Sequence, residues 1–380
     1  MGSYENHAVL IKPFTHPTWG LSFDAFICDQ FLASQPNARS DEGSPDVAHS
    51  GAAGAVPAIS KPTLPVWDYI TFPQAMIAAA NKGKGWHLIT AVEWAILAEW
   101  ARINGTMPHG GNANTDPPSD VTYTSEKAQL DEHLHGEDGN LHRALPGTGA
   151  NTWSHNHKVD GVWDLQGTLW QWVMGLAGVG ADWTTNGYPR ILAKTGLKYK
   201  TSAFGRGTIS GSGGATPTLT CDGAGVNWLK AWTALEFNAM YIYIAEAASG
   251  AGAWYTITNT TPTTIVLTNG DVPGNGTATF YIAKVINVDI TAGMTSGNRI
   301  LTLRDADANL KPFAIPATGD ATGSNTYGKD VYYFDKTIEK SAFRGGSFST
   351  GTDAGVFALA LSDAPGASHY GIGYRACKSL

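Results

Sequence analysis

The sequence predicts an α+β fold. Three observations carry that reading. Two stretches of helical spacing begin at capping residues, strand-like runs flank them, and a Thr/Gly/Ala-rich segment of short strands interrupts the mixed pattern from about residue 205 to about 305.

In chain order, His7–Ile11 reads as a strand, and Gly20–Cys28 alternates well enough to read as another. Residues from about Gln35 to Pro62 are rich in Gly, Ala, Ser and Pro and read as a long loop. Thr71 is placed to cap a helix. Pro73 sits near its first turn, where a missing N–H costs little, and the Ala-rich run from Gln74 to Asn81 stops before Gly83 and Gly85. Thr90-Ala91-Val92-Glu93 is a capping box, in which the Thr hydroxyl and the Glu carboxylate each take an otherwise orphaned N–H. Trp94, Leu97, Ala98 and Ala101 then make one apolar stripe that ends at Asn104-Gly105. A short helix is expected near Ser125–His135 within a polar, loop-like region. Asp164-x-x-Gly167 reads as a turn and Leu169–Val173 as a buried strand. Within the Thr/Gly/Ala-rich segment, strands are expected at Met240–Ala245, Trp254–Thr258, Thr264–Thr268, Thr277–Ile282 and Arg299–Leu303. Turn signals such as Asn269-Gly270-Asp271 separate them. The domain reading is therefore residues 1–204, an inserted small β domain at 205–305, and a return to the parent domain at 306–380.

Composition narrows function. A net charge of −7 without a Lys/Arg cluster argues against nucleic-acid binding, which needs a basic face to displace counterions. Cys28, Cys221 and Cys377 are odd in number and widely spaced, so they form no disulfide framework, CxxC pair or zinc pattern legible in the sequence. A reducing interior at the time of folding is the simplest reading. Met1–His7 lacks the basic and apolar regions of a secretory signal, and no apolar run reaches the roughly 20 residues that span a bilayer. The expectation is a chain made in the cytoplasm that works outside the cell, if it does, as part of a virion or on the cell surface.

From Arg344 to Arg375 apolar and glycine positions make a fixed frame, with small, hydroxyl, acidic and aromatic residues between them in no catalytic order. Val356, Phe357, Leu359, Leu361 and Ile372 are the expected buried frame. Three segments occur in a telling order: Gly85–Trp94, Gly161–Trp172, and Arg344-Gly345-Gly346-Ser347-Phe348 followed by Gly371-Ile372-Gly373-Tyr374-Arg375. In this the chain resembles formylglycine-generating-enzyme-like domains of the C-type lectin type. Its C-terminal segment resembles the variable region of diversity-generating retroelement proteins. The resemblance covers roughly residues 6–200 and 305–380.

The resemblance implies two helices beside a twisted antiparallel sheet. It also implies a surface diversified by a reverse transcriptase that misreads template adenines, so that asparagine codons become hypermutable. Such codons never give Lys, Glu, Gln, Met or Trp. These five make up about one residue in eight of the chain, yet none occurs from Gly345 through Cys377, which favours the variable-region reading. Matching the frame places variable, ligand-binding positions within 344–375 at Ser347, Ser349, Thr350, Asp353, Ala360, Ser362, Asp363, Ala367, His369, Tyr370 and Gly371. Their side chains are expected to face solvent. Tyr370 and His369 would be the anchors, with Asp353 and Asp363 adding polar specificity.

The expected function is ligand or receptor binding, as a phage tail receptor-binding or surface adhesin component. The implied partner is a protein or glycan on a target cell, and the chain is expected to be no enzyme, to bind no nucleic acid and to need no cofactor or metal. Homo-oligomerisation or attachment to a virion is compatible with this. One alternative is a metal-dependent oxidase of the formylglycine-generating-enzyme fold, although its cysteine pair is not matched here. Another is a structural virion protein. Asp131, His133 and His135 alternate near Glu137, Asp138, His142, His155 and His157, and this stretch is read as a solvated polar loop, with calcium left open. Trp163, Trp170 and Trp172 could line a sugar-binding face, and core packing is the reading taken. No strand–GxGxxG–helix unit, P-loop or GxSxG elbow is present.

Overall fold

A computed structural model describes residues 7–36, 38, 56–132, 141–180, 189–193, 204–212, 217–222, 240–246, 252–261, 263–267 and 274–380. The first part of the chain forms β1 (Ala8–Ile11), β2 (Phe14–Thr15), β3 (Ser22–Phe23), β4 (Phe26–Asp29), β5 (Ala33–Ser34), β6 (Ile59–Ser60), α1 (Phe72–Ala80), β7 (Trp86–Leu88) and α2 (Ala91–Asn104). It continues through β8 (Trp170–Gly178) and β9 (Arg190–Leu192) into β10 (Phe204–Ser210), β11 (Thr218–Cys221), β12 (Met240–Ile244), β13 (Ala253–Thr260), β14 (Thr264–Leu267) and β15 (Gly276–Val285). The last part adds β16 (Asn298–Leu303), β17 (Pro316–Asp320), β18 (Val331–Phe334), β19 (Lys340–Arg344), β20 (Leu359–Leu361), β21 (Ile372–Gly373) and β22 (Ala376–Ser379).

The expected two-helix α+β fold of C-type lectin type is not what the chain builds. The structure is mostly β, with 36% strand against 12% helix, and contains a closed six-stranded barrel with further strands outside it. The barrel runs β15-β10-β11-β14-β13-β12 and back to β15, every pairing antiparallel. Buried residues alternate along its strands, as Leu219 and Cys221 do on β11 and Ile265 and Leu267 on β14, which is what closure around a filled interior requires. β15 also pairs with β9, and β9 with β8, so the barrel sheet runs on into the central sheet β9-β8-β19-β20-β18-β16-β17. Phe72, at the start of α1, packs edge-on against Tyr243 and Tyr281 of the barrel at 5.5 and 6.3 Å. Local signals had identified helices and strands; the continuous pairing that makes strand dominate is a long-range property.

Both helices start where their caps dictate. Thr71 and Gln74 form a reciprocal box, with the Gln74 N–H donating to Thr71 Oγ1 and the Thr71 N–H to Gln74 Oε1. Thr90 and Glu93 do the same for α2, and Gly105, at φ +69°, closes it in the left-handed conformation. The stripe of Trp94, Leu97, Ala98 and Ala101 is fully buried against the central sheet. No helix forms over the described part of 125–135. There the Ala128 N–H goes to the Pro118 carbonyl and Leu130 bridges Ala144, so the backbone donors serve neighbouring loops instead. A second, four-stranded sheet, β1-β4-β22-β7, stands apart from the first. Among the described residues no helix is long and apolar enough to cross a membrane.

Candidate functional site

The segment after β19 turns sharply because its backbone has no alternative. Gly345 and Gly346 lie at φ +96° and +79°, and a Cβ on Gly346 would sit 2.4 Å from that of Ala354. Arg344, fully buried, fixes the turn from beneath. Its guanidinium donates to the carbonyls of Phe357, Phe313 and Ala314, and burial pushes its pKa down to about 10. The segment leading into β20 is held from two further sides. Trp94 Nε1 donates to the Val356 carbonyl at 2.7 Å, and the Phe357 N–H donates to Asp330 Oδ2 at 2.7 Å. Burial raises Asp330 to about 7, against the pull of its backbone donors and Arg344. Val356, Phe357, Leu359 and Leu361 are wholly buried and Ile372 is 6% exposed, so the frame packs as a core.

Above this frame opens a cavity of about 500 Å³, within the size range of small-ligand pockets. Ten of the eleven candidate residues line it: Ser347, Ser349, Thr350, Ala360, Ser362, Asp363, Ala367, His369, Tyr370 and Gly371. They come from three places in the chain, the turn after β19, strand β20, and the loop before β21. Asp353 stands outside the cavity. It is ion-paired with Arg299 at 2.7 Å and accepts the hydroxyl of Tyr333, whose ring lines the cavity, so it supports a wall.

Exposure divides the candidates. Ser349 and His369 are exposed, and Thr350, Ser362, Asp363, Ala367 and Tyr370 are half-buried. Ala360 (1%) and Ser347 (5%) are buried, as is Gly371, so the expectation that all these side chains face solvent fails at these three. Ala360 belongs to a strand paired on both sides, with Tyr333 and Phe343, and forms the floor.

Comparison with protein-family models and with curated proteins finds no match.

The loop over the cavity is held largely through main-chain atoms. The carbonyls of Asp363, Pro365, His369 and Gly371 accept the N–H groups of Ser341, Phe72, Tyr69 and Trp170. Lys340 Nζ donates to the Ser362 carbonyl at 2.7 Å. Arg143, fully buried between Asp68 (2.6 Å) and Asp131 (2.8 Å), donates to the Tyr370 carbonyl at 2.9 Å. Burial pulls its pKa down, and the two carboxylates by attraction and hydrogen bonding more than restore it. The side chains on the rim bond chiefly to each other. Ser347 Oγ lies 3.0 Å from Thr350 Oγ1, Ser362 Oγ donates to Asp363, and His369 Nδ1 accepts the Gly371 N–H.

The remaining wall was not assigned from the sequence. Trp170 and Phe343, ring centroids 5.4 Å apart, and Tyr333 form an aromatic side. Trp170 had a signal, its place in the aromatic run 163–172, but there it was grouped with Trp163 and Trp172, which are indeed buried in the core. Tyr333 lies on β18, a strand with no distinct sequence mark. Among the histidines, His155 is buried and pushed down to about 4 by desolvation, which keeps it neutral, and His157 Nε2 faces the Met107 carbonyl. His133, His135, Glu137 and Asp138 lie outside the described residues. Asp131 serves Arg143, and among the described residues no group of three or more His, Cys, Asp or Glu is placed to hold a metal.

Proposed function

We propose that this chain is a ligand- or receptor-binding protein whose cavity rim near residues 347–371 is a hypervariable surface diversified by a retroelement. It would act as a phage-tail receptor-binding or surface adhesin component, with a protein or glycan on a target cell as partner. Work by binding rather than catalysis fits the rim, where the polar side chains are engaged with one another and with their own backbone. The single observation behind the proposal is convergence. Ten of the eleven residues placed by matching the frame, spread over 25 positions of sequence, border one open cavity, while the frame residues between them are buried.

The test is a library at Ser349, Thr350, Asp363, Ala367 and His369 displayed on an otherwise unchanged chain. Most members should fold with a Tm close to that of the parent, and panning against unrelated proteins and glycans should yield binders whose sequences differ only at these positions. A library in which most members unfold, or from which no binder emerges while the parent's own partner binding is untouched, would refute the reading. Diversification itself is tested in the genome. A near-copy of the codons for 344–375 carrying adenines at the variable positions, beside a reverse transcriptase gene, is expected.

A further inference from the structure

Two of the three cysteines, 349 positions apart in sequence, stand directly opposite each other. In the four-stranded sheet β22 pairs antiparallel with β4, and Cys377 is the register partner of Cys28. Directly opposed residues of an antiparallel pair point to the same face. Their Cα atoms lie about 4.5–5.5 Å apart and their Cβ atoms about 4.5–5.5 Å apart. A disulfide needs Cα atoms at about 4.4–6.8 Å and Cβ atoms at about 3.5–4.5 Å. Both residues are fully buried, and the Cys28 thiol is near enough to push that of Cys377 up. Bond formation therefore asks for little more than a small inward shift of two side chains. The third thiol, Cys221, is buried in the barrel and has no such partner.

We propose that Cys28 and Cys377 are a disulfide site, closed when the protein folds in or passes to an oxidising environment. The bond would tie β22, the strand that follows the cavity loop, to β4 across a loop of about 350 residues. Closure runs by thiol–disulfide exchange with a small-molecule disulfide. The thiolate of one cysteine attacks a sulfur of that molecule, its S–S bond breaks, and one small thiol leaves with the proton. The thiolate of the second cysteine then attacks the mixed disulfide and releases the second small thiol. Two protein thiols are oxidised and one small disulfide is reduced to two thiols. Burial, then the contact with Cys28, then the negative Glu93 and Asp29, push the Cys377 thiol well above its ordinary range. Exchange in the folded protein is thus slow, and it is fast during folding or when β22 opens.

The chain is unfolded and refolded with glutathione disulfide and, in parallel, with a reductant, then denatured and alkylated. The oxidised sample should show one alkylated cysteine, Cys221, a mass lower by two hydrogens before alkylation, and a Cys28–Cys377 linked peptide in a non-reducing digest. Its Tm should exceed that of the reduced sample by about 5 °C. Cys221→Ser should keep the linkage and the Tm difference. Cys28→Ala/Cys377→Ala, a well-packed small pair in the same sheet, should lose both. Three alkylatable thiols after oxidative refolding of the parent or of Cys221→Ser, or a linkage that uses Cys221, would overturn the assignment.

Discussion

Arg143→Met is the most revealing single change for the cavity loop. The side chain is about the right length, so packing changes little, but a buried cation disappears from between Asp68 and Asp131 and the Tyr370 carbonyl loses its donor. All three charged side chains are nearly or fully inaccessible, and two carboxylates already face one guanidinium. Removing that guanidinium breaks a buried ion pair with each carboxylate, which typically costs about 3–5 kcal/mol. For a chain of this length the entropy of unfolding at the midpoint is about 0.8 kcal/mol/K, so a loss of about 4 kcal/mol lowers the Tm by about 5 °C. Urea unfolding followed by circular dichroism measures the first quantity and a thermal scan the second. Adding Asp68→Asn and Asp131→Asn to Arg143→Met should recover more than half the loss, because the cost lies in the charges and not in the shape. A single-variant loss under about 1 kcal/mol, or a triple variant no more stable than the single, would refute the argument.

Other expectations are simpler to check. Leu359→Ala, at a wholly buried frame position, should cost about 2–5 kcal/mol in urea unfolding, whereas Ser349→Ala on the exposed rim should stay within about 0.5 kcal/mol. Gly346→Ala should cost more than about 1 kcal/mol, since it puts a side chain at φ +79° and onto Ala354; a variant as stable as the parent would mean that the turn is not held there. Burial raises both Asp330 and Asp164 to about 7 from an ordinary 3.8. A raised carboxyl binds its proton more tightly in the folded state, so its contribution is fully present below about pH 4 and is lost as the pH climbs towards 7. The Tm should therefore fall across that window from these two groups, and Asp330→Asn should flatten the fall; an unchanged profile in that variant would count against it.

The sequence marked local structure well where a short-range rule governs it. Thr71 and Thr90 cap because a hydroxyl and a side chain three residues on satisfy orphan N–H groups, and that is decided within four residues. The apolar run of Val356, Phe357, Leu359 and Leu361, bounded by polar residues such as Asp353 and Ser362, likewise marked a buried frame beside a rim. What stayed hidden depends on pairing between distant segments. No property of Arg190–Leu192 announces that β9 joins the barrel to the central sheet, yet that junction turns an expected helix-and-sheet domain into a mostly β structure. Ala360 resembled its variable neighbours in size and polarity of context, and only its pairing between Tyr333 and Phe343 puts it on the cavity floor. Asp353 looked like a specificity residue until Arg299, 54 residues away, claimed its carboxylate. Cys28 and Cys377 are the same case at the longest range.

A surface can tolerate varied side chains only if its backbone does not depend on them, and the loop from Ser362 to Gly371 meets that condition in a specific way. Its anchors are carbonyls: those of Ser362, Asp363, Pro365, His369, Tyr370 and Gly371 accept from Lys340, Ser341, Phe72, Tyr69, Arg143 and Trp170. Every residue type offers the same carbonyl, so none of these bonds selects against a replacement at its own position. The donors, by contrast, lie outside the loop, and the two charged ones, Arg143 and Lys340, are buried with ion-pair partners of their own. Side-chain identity is needed only in Arg143 and Lys340, since the other four donors are backbone N–H groups, and within the loop the one side-chain bond to main chain is that of His369 to the Gly371 N–H. The turn after β19 meets the condition less fully, because Ser347 and Thr350 bond through their hydroxyls and the Thr350 hydroxyl also receives the Ser347 N–H. Variation there should accordingly be narrower than at Asp363 and Ala367, with hydroxyl residues at Thr350 enriched among the most stable members of a library.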